Sequence, residues 1–188
     1  ARKIAFGDFI ETEVSIAPKE GKAILVGGTN MKEMEILLDA TKDKDINIYT
    51  HGQMITAHSF PKLKAYPHLI GHWGKGAEYF LSDFSSFPGA IFLTKQSSFA
   101  VDNLYFCKIF TSDKALSKGL SFIKDNDFEP LIKSALLSEG FSETLPEEKI
   151  KVGIIEQDFE EKINQISTKI DRGEIKNIFV IFCFCIQQ

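Results

Sequence analysis

Cysteine is scarce in this chain. Three in 188 residues is an odd count that argues against a secreted disulfide framework. It is also fewer than the four thiolates that a private [4Fe–4S] cluster takes. No apolar run approaches the ~18–20 residues of a membrane-spanning helix, and the first twenty residues lack the charged-then-apolar layout of a signal peptide. Basic charge is not in excess: 22 Lys and Arg against 26 Asp and Glu give a net charge of −4, so no global field draws the chain to nucleic acid. Tryptophan occurs once and tyrosine four times, against 17 phenylalanines, a balance that suits a dry core and equally suits an AT-rich coding sequence. Internal repeats, low-complexity tracts and a clear linker are missing as well. What remains is a cytoplasmic globular protein with no nucleic-acid or membrane partner. With 44% hydrophobic and 26% charged residues its composition is ordinary. One domain of this length buries roughly 70% of its unfolded surface without needing disulfides or metal. Ala1 in place of a start methionine raises the expectation of a piece of a longer chain.

From Lys22 onward, short apolar runs alternate with amphipathic stretches. Ala23-Ile24-Leu25-Val26 is closed by Gly27-Gly28, the profile of a strand buried on both faces. Asn30 is placed to cap a helix, and Glu33 three residues later completes a capping-box pattern. Met31, Met34, Ile36, Leu37 and Leu38 supply that helix with an apolar face. Ile46 to Tyr49 is a second buried run, followed by a loop rich in glycine and histidine. A helix over Ala77 to Phe84 and a strand over Ala90 to Leu93 flank the Pro88-Gly89 break. Further strands are predicted at Leu104 to Phe110, Lys151 to Ile155 and Ile178 to Phe182. Asp127 precedes a helix reaching Leu137, with Pro130 in its first turn. Phe159, Ile163, Ile166 and Ile170 repeat at helical spacing until Gly173. Strands alternating with helices predict an α/β fold: an open, mainly parallel, Rossmann-like sheet with helices on both faces, three layers α/β/α. Residues 1–20 read as an extended lead-in or the remnant of a preceding domain, and 21–188 as the α/β domain.

Open parallel sheets hold ligands in the crevice at the carboxyl ends of their strands. Four segments fall there: Gly27-Gly28-Thr29-Asn30, Thr50-His51-Gly52-Gln53, Thr94-Lys95-Gln96-Ser97 and Cys183-Phe184-Cys185. Their chemistry is thin. Gly27-Gly28 could offer backbone N–H groups to a phosphate, but the G-x-G-x-x-G pattern and a Walker lysine are absent, so a turn into the helix is the plainer role. His51, His58, His68 and His72 are spaced seven, ten and four apart, unlike a helical metal motif, and read as loop histidines bonded to backbone. Cys183 and Cys185, two thiols either side of Phe184, are not read as a metal or redox pair. Ser97 lacks the partners of a nucleophile.

The same segments carry a family resemblance. Thr50 to Pro61 follows the pattern T-H-G-E-M-x-x-A-H-x-[YF]-P, Lys64 to Gly71 follows K-x-Y-P-H-L-x-G, and Phe87 to Ile91 is F-P-G-A-I. Lys22 to Leu38 resembles K-x-I-L-V-x-G-H-D-x-K-D-x-E-x-L-L. Lys108-Ile109-Phe110-Thr111 and Phe128-Glu129-Pro130-Leu131-Ile132 extend the likeness, which spans Gly21 to Phe182. These residues resemble the middle domain of the hybrid-cluster proteins, also called prismane proteins or hydroxylamine reductases. The resemblance implies an iron–sulfur–oxygen hybrid cluster, a second iron–sulfur cluster elsewhere in such proteins, and reduction of hydroxylamine or nitric oxide. It also implies cluster-ligand positions at Thr29, Gln53 and Ser97, where the family has histidine, glutamate and cysteine. A further family cysteine falls around Phe184 or Cys185, without its glycine-rich surroundings.

Threonine offers no imidazole nitrogen, glutamine is neutral, and a serine hydroxyl is a poor iron ligand beside a thiolate. The expectation is therefore a degenerate site with no catalytic residue, no metal and no cofactor in this chain. Gly28, Asn30, His51, Gln96, Cys183 and Cys185 are expected around the crevice, His51 as a structural loop residue. Three functions stay open: a non-catalytic relative acting in assembly or binding; a fragment or subunit of a hydroxylamine or nitric oxide reductase-type oxidoreductase whose other domains or subunits supply the cluster; and a small-molecule or nucleotide-binding module.

Overall fold

The computed structural model describes residues 5–75, 79–95, 108–117, 119–153 and 156–174, with backbone alone for 156–160 and 162. The apolar runs become strands where side-chain alternation can bury both faces at once. β1 (Thr12–Ser15), β2 (Lys22–Gly27), β3 (Ile46–Thr50), β4 (Leu69–His72), β5 (Ala90–Leu93), β6 (Ile109–Thr111), β7 (Ser121–Phe122) and β8 (Lys149–Val152) form one sheet in the order β7-β6-β5-β2-β3-β4-β1-β8. Every neighbouring pair is parallel except β1 with β8 at one edge. The α/β expectation holds. β2 is central, with Val26 level with Thr50 on one side and Phe92 on the other.

Period-two alternation splits β2 between two cores. Ile24 and Val26 pack with Met34, Leu37 and Leu38 of α1 (Met31–Thr41) and with Leu131, Ile132 and Ala135 of α4 (Glu129–Leu137). Ala23 and Leu25 face Phe84 of α3 (Phe80–Ser86), together with Tyr49, Phe87 and Leu93. A 3-10 helix, Gly52–Ser59, and the single turn α2 (Pro61–Lys64) lie between β3 and β4. The first core also takes Met54, Ala57 and Leu63 from them. α5 (Glu156–Asp171) leaves Ile163, Ile166 and Ile170 exposed. Among the described residues no helix is long and apolar enough to cross a membrane.

Several local expectations shift. The Gly/His-rich stretch expected as loop contains both the 3-10 helix and β4. Gly71 of β4 is needed there, because a Cβ would stand 2.3 Å from the carbonyl oxygen of Ser15 in β1. Within residues 1–20, Thr12–Ser15 joins the sheet between β4 and β8, and Phe6 belongs to the first core. The strand expected from Leu104 forms over Ile109–Thr111, with 104–107 outside the described residues. The strand expected from Lys151 to Ile155 forms over Lys149–Val152 as the edge strand β8, because its partners are Thr12 to Ser15 of β1. The expected strand Ile178 to Phe182 lies outside the described residues. The helix expected to begin after Asp127 starts at Glu129, with Asp127 Oδ1 accepting the Glu129 N–H at 3.2 Å.

Candidate functional site

At the carboxyl end of β2, Gly28 turns the chain with φ 101°, a conformation that favours glycine. Asn30 caps α1 as its sequence context predicts, its Oδ1 accepting the N–H groups of Lys32 and Glu33 at 3.2 Å each. The other half of the capping box does not form. The Asn30 N–H that Glu33 would take goes instead to Thr94 Oγ1 at 3.3 Å. Glu33, 4% exposed, turns across the sheet. Its Oε2 accepts the Lys95 N–H at 2.9 Å and the Ser112 hydroxyl at 2.8 Å, and Lys95 Nζ stands 3.5 Å from Oε1. One buried carboxylate thus ties the start of α1 to the chain leaving β5 and β6, a role that the helical spacing around Glu33 did not reveal.

The end of β3 is a second polar knot. His51 is fully buried, its N–H donates to Val26 O at 2.8 Å, and its Nε2 lies 3.0 Å from Asp83 Oδ2. Asp83 also accepts the Lys75 N–H at 3.1 Å, and its carbonyl accepts Trp73 Nε1–H at 3.1 Å. Gly74, with φ 104°, passes so close that a Cβ would meet Asp83 Oδ2 at 2.5 Å. On the other side, Thr50 Oγ1 stands 3.0 Å from His72 Nδ1 and 3.2 Å from His58 Nε2, and the latter is 3.2 Å from Gly71 O. Burial drives the imidazoles down: His58 to about 4, and His72 to about 3, where His51 and His58 also disfavour its charge. His51 is lowered too, chiefly by burial and against the pull of Asp83. These rings are neutral structural partners at pH 7. They bond to Thr50 and Asp83 as well as to backbone, which extends the backbone-only role expected of them. Asp83 carries no signal in the sequence, since nothing local marks a partner 32 residues from His51.

Thr29, partly exposed, and Gln53, exposed in the first turn of the 3-10 helix, follow the adjacent strands β2 and β3. Gly28 and Asn30 join them there, whereas His51 is sealed beneath. Gln96, Ser97, Cys183, Phe184 and Cys185 lie outside the described residues. Among the described residues no three His, Cys, Asp or Glu side chains are grouped to hold a metal ion. The donors that Thr29 and Gln53 present are a hydroxyl and an amide, both weaker ligands for iron than imidazole or carboxylate.

The fold and its ends define a class: an open, mainly parallel α/β sheet with its candidate crevice at the strand tips. The family follows from comparison. Residues 1–185 match the model of the Prismane/CO dehydrogenase family, and the chain belongs to that family. It is 38% identical over 176 residues to a hydroxylamine reductase of Acidiphilium cryptum, covering 94% of this chain and 32% of that protein. A hydroxylamine reductase of Zymomonas mobilis is 35% identical over 181 residues, 96% of this chain and 33% of that one. That of Methanocella arvoryzae is 40% identical over 142 residues, 76% of this chain and 26% of that one. The chain spans about a third of the length of the first two.

Proposed function

We propose that this chain is a hybrid-cluster-protein-like domain that does not hold the family's cluster by itself and acts in assembly or binding with other domains or subunits of such a protein. The observation that carries this reading is the donor chemistry at Thr29 and Gln53, beside imidazoles already committed to Thr50, Gly71 and Asp83. With Ser97 in the third position, all three family ligand sites present neutral oxygen or amide groups in this sequence. The structural motifs are meanwhile kept: the T-H-G stretch builds the turn after β3, and F-P-G-A-I leads into β5. The test is an iron and acid-labile sulfide assay on anaerobically purified protein, with absorption and paramagnetic resonance spectra. Metal at background level is expected, and stoichiometric iron and sulfide would overturn the proposal.

A second reading is favoured by the chain's coverage of about a third of its relatives. Here the domain is one part of a hydroxylamine reductase-type oxidoreductase, and other parts provide the cluster ligands. Co-expression with the remaining two-thirds of a relative such as the Acidiphilium cryptum protein separates the two. Recovery of hydroxylamine reduction by the mixture supports this reading, and a complex without cluster or activity supports the first.

A further inference from the structure

On the other side of the β2–β5 switch from Gln53, the carboxyl ends of β5, β6 and β7 enclose a cleft of about 680 Å³. Lys95, Lys114 and Lys124 line it with Phe122, Asp113 and Asp125; Asp113 Oδ1 also accepts the Ala115 N–H at 2.8 Å. It lies over the carboxyl ends of the strands, the edge of an open parallel sheet at which such folds hold ligands. Its far wall is shaped by a tight turn. Asp125 and Asn126 take φ 52° and 59°, and the Asp127 N–H donates to Lys124 O at 2.9 Å, the pattern of a type I′ turn. Lys124 leads into that turn and lines the cleft. Among the described residues neither Lys114 nor Lys124 forms an ion pair, whereas Lys95 already faces Glu33.

We infer that this cleft binds a nucleoside phosphate. The volume lies within the range of small-molecule sites and is far larger than a lone phosphate requires. Phe122 is 40% exposed and offers aromatic surface on which a base can stack. Lys114 and Lys124 provide ammonium donors for the phosphates. The Asp125 carboxylate would repel a bare anion but accept hydrogen bonds from ribose hydroxyls, so the mixed charge selects a nucleotide over an inorganic anion. None of these residues is among the family's cluster positions, and the inference stands whether or not the domain holds a cluster.

Isothermal titration of the full chain with ADP, adenosine and pyrophosphate tests it. The expected result is saturable one-to-one binding of ADP, with adenosine and pyrophosphate each weaker. The double substitution Lys114→Glu/Lys124→Glu, on exposed side chains, should weaken ADP by roughly tenfold or more, and Phe122→Ala by a similar factor, with far-UV circular dichroism unchanged. Absence of saturable ADP binding, or ADP binding untouched by the charge reversal, would overturn the proposal. So would pyrophosphate binding as tightly as ADP while Phe122→Ala has no effect.

Discussion

Replacing Glu33 by alanine removes the acceptor of two hydrogen bonds at once. The Lys95 N–H at 2.9 Å and the Ser112 hydroxyl at 2.8 Å lose a charged partner. Ser112, 4% exposed, has little access to water as a substitute. Hydrogen bonds to charged groups contribute about 1.5–3 kcal/mol each, and a buried donor left alone costs about 1–3 kcal/mol. The two losses overlap, and partial hydration of the Lys95 amide offsets some of them, so Glu33→Ala should cost about 3–5 kcal/mol. Glu33→Gln keeps the shape and one acceptor oxygen but turns an N–H₂ group toward a donor, for about half that effect. Urea denaturation followed by circular dichroism reads the difference directly. For a domain of this size the same loss lowers the melting temperature by roughly 6–20 °C. Combining Glu33→Ala with Ser112→Ala in a double-mutant cycle should show a coupling of about 1 kcal/mol or more. A Glu33→Ala protein within about 1 kcal/mol of the parent, or a cycle with no coupling, would refute the view that one carboxylate fastens these strand ends.

Acid should destabilise the fold in a specific window. His58 and His72 have folded pKa values of about 4 and about 3, below the ordinary 6.5. The unfolded chain therefore binds protons first, and stability falls as pH drops below 6.5, by at most about 1.4 kcal/mol per pH unit for each ring. Urea midpoints at pH 7 and pH 5 check this, and a flat profile would contradict the neutral-ring assignment; above pH 7 these two groups should contribute no slope. Gly71→Ala drives a methyl group to 2.3 Å from the backbone of Ser15, so β1 and β4 must separate, and loss of about 2 kcal/mol or more is expected in the same assay. Tyr49→Phe removes the acceptor of the Lys19 N–H at 2.8 Å, a loss of about 1 kcal/mol that is readable as a shifted urea midpoint with an unchanged slope.

Legibility in the sequence followed the strength of local signals. Asn30 was readable as a cap because capping is decided within three residues. The partner of Glu33 was not, since Ser112 is 79 positions away and only the placement of β6 beside β5 brings it near. β4 escaped because Leu-Ile-Gly-His is four residues long and includes a glycine, too little for a pattern. The candidate crevice residues Gly28, Thr29, Asn30 and Gln53 were placed at the strand ends by pattern alone. The cleft with Lys114, Phe122 and Lys124 was not, because a two-residue strand such as β7 leaves no periodicity to read.

The sequence alone specified the buried runs of β2, β3 and β5, the helix that follows Asn30 and the kinship of the chain. Each of these depends on neighbours within a few residues or on a contiguous motif. Strand order, the insertion of β1 between β4 and β8, the sealing of His51 against Asp83 and the turn of Glu33 toward Lys95 and Ser112 were decided only by the folded sheet. Packing chooses among donors that lie far apart along the chain. A buried carboxylate or imidazole bonds to whichever group tertiary structure brings within about 3 Å.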